Sequence, residues 1–154
     1  SGIPAEPLFR SASVLRSPFF SFHISTIVTA YALLLGIVVV SIIALVKPKD
    51  LARMERLKSL STAMLYPAVA LLAIGIFIGA IWANVSWGNY WSWDPKEVWA
   101  LITLLIYAAP LHEKLWKTFQ KPMFFHVYGI LAFLSVLITY FGVNLLLGGV
   151  HSYN

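Results

Sequence analysis

The sequence contains no cysteine. That excludes a disulfide framework and a thiolate metal site, and leaves histidine and carboxylate as the side chains able to ligate a metal. Charge is scarce as well: 11% of the 154 residues are Asp, Glu, Lys or Arg against 60% hydrophobic, and the mean hydropathy is +0.81. A soluble globular domain carries roughly 25% charged residues, so these proportions exclude that class. The alternating pattern of a transmembrane β-barrel is missing, because the apolar runs are continuous. Also missing are a Gly-rich phosphate loop, a Ser/His/Asp nucleophile set and an HExxH zinc motif, so ATP hydrolysis and proteolysis find no support. No internal repeat or low-complexity tract is present.

What is present is a series of apolar runs near the ~20 residues needed to cross the hydrocarbon of a bilayer. They predict an all-α, polytopic transmembrane helical bundle of about four spans: Phe22 to Val46, Leu60 to Ala83, Val98 to Leu111 with its ends, and Phe124 to Leu147. Residues 1–21, with Pro4, Pro7 and Pro18, read as an irregular or surface-lying segment, and residues 22–154 as the membrane domain. The start at Ser1 and the end at Asn154, just after an apolar run, are expected to be the limits of a piece of a longer protein.

The net charge of +5 sits in short segments between the runs rather than on a nucleic-acid-binding face. Lys47, Lys49, Arg53, Arg56 and Lys58 form one expected loop, and Lys114, Lys117 and Lys121 follow the third span. By the positive-inside rule both face the cytoplasm. Alternation then places the N-terminal segment, the loop from Asn84 to Glu97 and His151 together on the opposite, outer face.

That outer loop, WANVSWGNYWSWDPKEVW, holds Trp82, Trp87, Trp91, Trp93 and Trp99, five of the six tryptophans. An interfacial aromatic belt is one reading. The other is a floor for a large flat apolar ligand, with Gly88 allowing close approach of backbone or ligand and Tyr90 adding an amphipathic ring. Asp94, Pro95 and Glu97 have the pattern of a helix start: an N-cap, a proline at the first position and a capping-box partner. Lys96 could pair with a ligand carboxylate or simply be a solvated interfacial lysine.

All four histidines lie near span ends. His23 and His151 share the outer face, and two neutral imidazoles approaching from opposite sides can hold a haem iron. His112 and His126 lie at inner ends, where either could be a ligand of a second site or a plain structural residue. Gly75 and Gly79 form a GxxxG step, read as helix packing.

At WGNYWSWDPKE the chain resembles the WWD signature of the haem-handling protein family of cytochrome c maturation, most closely its CcsA/ResC branch. Residues 80–112 and 139–153 carry the resemblance, and Pro95-Lys96-Glu97 followed by Trp99-Ala100-Leu101 separates this chain from the CcmC and CcmF relatives. The resemblance implies haem b bound at an outer site by His23 and His151, with Trp87, Gly88, Tyr90, Trp91, Trp93 and Asp94 forming the haem-binding loop. It implies a membrane haem site that includes His112; the family's other histidine of that site has no match in this chain, and His126 has no counterpart.

The implied function is cytochrome c biogenesis in a CcsB–CcsA synthetase. Haem is carried to the outer face for covalent attachment to a CxxCH apocytochrome c, with a CcsB/ResB-type membrane protein and thiol-reducing thioredoxin-like proteins as partners. Membrane lipid surrounds the chain and nucleic acid plays no part. The expected location is the bacterial cytoplasmic membrane in preference to the thylakoid, with the loop on the periplasmic or extracellular side. A CcmC-like haem exporter or chaperone without ligation, and a di-haem electron-transfer protein, are the alternatives.

Overall fold

The computed structural model describes residues 18–147, and side chains through Gly142. Four helices run alternately up and down: α1 Pro18–Leu45, α2 Leu51–Trp87, α3 Pro95–Ala108 and α4 Pro122–Leu137. Two short 3-10 turns, Ala109–His112 and Lys117–Gln120, link α3 to α4, and α4 continues as a π-helical segment, Ile138–Leu147. The described residues contain no strand. Three stretches are long and apolar enough to cross a membrane: Pro18–Leu45, Leu51–Trp87 and Pro122–Gly142.

The expected spans are all found as helix, with shifted limits. The second is the most changed. The basic stretch expected as a loop is a tight turn at residues 46–50 followed directly by helix. Asp50 makes this possible, because its side chain accepts a hydrogen bond from Arg53 N at 3.0 Å and caps α2. With 37 residues, α2 is about 55 Å long, well beyond the ~30 Å hydrocarbon thickness, so its basic first turns can stand outside the apolar layer. It ends where Gly88 adopts φ 76° and returns its N–H to Asn84 O at 2.7 Å. The third expected span is the shortest, 14 residues of α-helix followed by the Ala109–His112 turn.

The buried positions explain how the helices pair. Through the middle of the bundle they include Ala30, Leu34, Ile37, Ser41 and Ala44 of α1 and Met54, Lys58, Ser61, Leu65, Ala68, Leu72 and Gly75 of α2, with Thr26, Trp82 and Ala83 buried beyond these runs. Both follow alternating steps of four and three, the 3.5-residue repeat of antiparallel helices packed at a shallow angle. Lipid is as apolar as leucine, so hydrophobicity alone does not join these helices; the small residues let backbones approach and dispersion contacts accumulate. Large apolar side chains such as Val28, Leu35, Val39, Phe77 and Ile81 point outward, as a lipid-facing surface requires.

Polar groups fasten the bundle at its basic end. His126 is fully buried, with Nε2 3.0 Å from Met54 O and Nδ1 3.1 Å from Ser41 Oγ. A carbonyl only accepts, so Nε2 carries the hydrogen and the neutral ring accepts from Ser41 through Nδ1. One side chain thus joins α4 to α1 and α2. Both ring nitrogens of His126 are engaged by hydrogen bonds within the bundle. Lys58, expected among the topology-setting cations, is also buried, and its Nζ lies 2.9 Å from Glu113 Oε2. At the opposite end Thr139 donates to Ser135 O at 2.7 Å, so its 3.1 Å contact with Thr103 is donated by the Thr103 hydroxyl and ties α3 to the π-helical continuation of α4.

Candidate functional site

Antiparallel pairing of α1 with α2 brings the first turns of α1 beside the last turns of α2, at the end where α3 begins. A cavity of about 490 Å³ opens there, a volume suited to a small-molecule ligand or cofactor. One wall is a face of α1 carrying Phe20, His23, Ile27 and Tyr31; the opposite walls come from α2 with Gly79 and Trp82, the loop with Tyr90 and Trp91, and α3 with Lys96 and Glu97. Its surface is largely aromatic and aliphatic, with few polar groups.

His23 is the imidazole on the apolar wall. Its Nδ1 lies 2.7 Å from Gly75 O. Because that carbonyl only accepts, Nδ1 holds the hydrogen and Nε2 carries the ring's lone pair, the tautomer in which imidazole ligates a metal through Nε2. Such a hydrogen bond from the non-ligating nitrogen also fixes ring orientation and raises ligand basicity.

The tryptophans divide into distinct roles. Trp82 is buried, within 5.2 Å of Phe20 ring to ring, and Trp87 meets it edge-on at 4.8 Å. Both belong to α2 rather than to the loop, and Trp99 belongs to α3. Trp91 lines the cavity, and its buried indole N–H has no hydrogen-bond partner among the described residues. Trp93 is 71% exposed, packs edge-on to Trp91 at 5.8 Å, and has φ 60°. A left-handed backbone is unusual for so bulky a residue and marks a conformation imposed by its surroundings.

The end of the loop is organised as a helix start. Asp94 Oδ1 accepts from Glu97 N at 2.9 Å, with Pro95 at the first helical position. Glu97 does not close the expected box onto Asp94 N. Its carboxylate reaches back to Ser92, accepting from the backbone N at 2.8 Å and the hydroxyl at 3.3 Å. The clamp therefore spans two more residues and fixes Trp93 between its ends.

Of the expected site residues, the structure brings His23, Tyr90 and Trp91 to the cavity. Trp87, Trp93 and Asp94 support its rim from behind. Gly88 terminates α2 with φ 76°, and a Cβ there would meet no protein atom within 4 Å, so within the chain it is the left-handed backbone rather than close packing that favours glycine. His112 lies at the far end of the bundle, exposed, with Nδ1 2.9 Å from Ala108 O. His151 lies outside the described residues. Phe20, Tyr31, Gly79 and Thr139 also line the cavity and were not singled out for it from sequence. A helical-face pattern on α1, with Phe20, His23, Ile24, Ile27 and Tyr31 on one side, was the available signal.

Fold and site together define a polytopic helical membrane protein with a tryptophan- and histidine-lined cavity at one end of its bundle. Over residues 7–151 the chain matches the family described as cytochrome C assembly protein, and it belongs to that family. It is 39% identical over 148 residues to protein NrfI of Wolinella succinogenes, covering 91% of this chain and 16% of that protein. With the cytochrome c biogenesis protein CcsA of Pyropia yezoensis it shares 51% identity over 102 residues, 65% of this chain and 31% of the relative. With CcsA of Synechococcus sp. it shares 36% over 174 residues, 90% of this chain and 56% of the relative. The chain thus spans 16% to 56% of the length of these relatives.

Proposed function

We propose that the cavity binds haem and presents it at the outer membrane face for covalent attachment to a CxxCH apocytochrome c. The observation that carries this reading is His23. It stands in the wall of an apolar aromatic cavity with its Nδ1–H held by Gly75 O, which sets Nε2 as the nitrogen for iron. The chemistry of the cavity lining suits a porphyrin. Phe20, Trp82 and Trp91 offer flat apolar surface, while the Lys96 ammonium is a donor suited to a propionate carboxylate.

In this reading His23 and His151 are the axial ligands of the outer haem, and Trp87, Gly88, Tyr90, Trp91, Trp93 and Asp94 build the loop that orients it. His112, at the other end of α3, is assigned to a membrane haem site. The haem is b-type. Attachment adds each apocytochrome thiol across a haem vinyl group: a carbon–sulfur bond forms and the thiol hydrogen passes to the neighbouring vinyl carbon, with no net oxidant required. The protein contributes positioning and exclusion of water rather than a nucleophile. A CcsB/ResB-type membrane protein and thiol-reducing thioredoxin-like proteins complete the system. The bacterial cytoplasmic membrane, with the Trp loop on its outer side, is the assigned location, supported by the basic residues at the opposite end of the bundle.

The test is the absorption spectrum of the native full-length protein in mild detergent beside His23→Ala, His151→Ala and Trp91→Ala. Loss or shift of the Soret band in the histidine variants, reversed by added imidazole, supports the reading, as does failure of these variants to yield covalent cytochrome c in cells. Wild-type haem in every variant refutes it.

A further inference from the structure

We infer that Gly79 and the carbonyl of Gly75 form a seat that orients His23, so that the GxxxG step of α2 serves ligand positioning as well as helix packing. The inference rests on the reading of His23 as a haem ligand. The two glycines have different neighbours. A Cβ on Gly75 would collide with the Ile27 side chain, whose Cγ1 lies 2.8 Å away, which is the close approach that small residues provide between membrane helices. A Cβ on Gly79 would instead meet the imidazole of His23, at 2.7 Å from Cε1, 3.0 Å from Nδ1 and 3.5 Å from Nε2. The ring therefore lies directly against the Gly79 backbone, in space that any other residue would fill.

The same ring is held by the 2.7 Å bond from Nδ1 to Gly75 O, one helical turn earlier. Sterics and hydrogen bonding thus act on one side chain from one helix face. Glycine in a helix interior is disfavoured relative to alanine, so a glycine whose missing methyl group is replaced by a neighbouring imidazole points to a requirement for that ring's position. A shift of the imidazole to make room would strain its bond to Gly75 O, because the two contacts adjoin. Gly79 is a positioning residue: it acts through the angle and tautomer that it permits His23 to hold.

The experiment is a double-mutant cycle of Gly79→Ala and His23→Ala in the full native protein, with two readouts. Haem retained per protein and its Soret position report ligation; ring nitrogen chemical shifts of His23, in the haem-free protein, report the tautomer. The seat predicts that Gly79→Ala lowers haem retention by about tenfold or more, as loss of a ligand-orienting partner does, and abolishes the Nδ1-protonated signature. In the His23→Ala background it should cost nothing further. An equal loss in both backgrounds, or an unchanged ring signature in Gly79→Ala, overturns the inference. If His23→Ala itself leaves haem unaltered, the ligand reading falls, and the ring signature still decides whether Gly79 seats the histidine.

Discussion

Lys58 Nζ lies 2.9 Å from Glu113 Oε2, and the two side chains differ sharply in exposure, 8% against 44%. Lys58 also lies 5.7 Å above the Phe125 ring and 3.4 Å from Gln120 O, so its ammonium is enclosed by the connection between α3 and α4. The pair latches the basic end of the bundle.

From that asymmetry, removing the two partners should have unequal cost. Glu113→Ala strands a buried ammonium, whereas Lys58→Met leaves a carboxylate that water can reach. We expect Glu113→Ala to lower stability by about 1–3 kcal/mol, and Lys58→Met combined with Glu113→Gln to recover much of it. Thermal unfolding of the four proteins in one detergent measures this; equal losses for the two single variants would contradict the burial argument.

His126 should behave as an architectural residue. His126→Ala removes two buried hydrogen bonds and leaves a cavity where α1, α2 and α4 meet, a loss of about 2–4 kcal/mol. Ser41→Ala should cost less, about 1 kcal/mol. Neither should shift the Soret band of haem at the opposite end of the bundle, and a shift in His126→Ala would show that the ring has a ligand role as well.

The cap on α3 separates the architectural part of Asp94 from any direct contact with ligand. Asp94→Asn and Asp94→Ser retain an oxygen for Glu97 N, while Asp94→Ala loses it at about 1 kcal/mol. If the carboxylate serves only as a cap, haem retention follows capping ability, with Asn and Ser close to wild type and Ala reduced. Equal loss in all three variants would show instead that the charge is needed.

Trp93 gives a test of backbone conformation independent of its ring. Trp93→Gly and Trp93→Ala both delete the indole, but only glycine accommodates φ 60° without penalty, so the glycine variant should be the more stable by about 1 kcal/mol. Matching melting temperatures would mean that the loop relaxes to another conformation once the ring is gone.

Much of this protein was legible in local pattern. The long apolar runs specify helices because a backbone in lipid must satisfy its hydrogen bonds internally, and Asp94-Pro95 marks the start of α3 because capping is a matter of a few consecutive residues. The tryptophan loop and His23 likewise mark the end of the bundle where the cavity lies.

Other features depend on which residues meet across helices, and linear order does not state that. Lys58 reads as one cation in a basic stretch until Glu113, 55 positions away, is brought to it. Gly79 reads as helix packing until antiparallel docking of α1 sets His23 against it, and Trp91 is separated from Trp93 as a cavity residue only by the turn between Gly88 and Asp94. The sequence by itself determined the helices, the cap on α3 and the residue types available for ligation, because those follow from hydropathy and local hydrogen bonding. Only the tertiary structure decided which histidine is locked into the core, which lines the cavity and what holds its ring, because those depend on the relative register of helices fixed by side-chain packing.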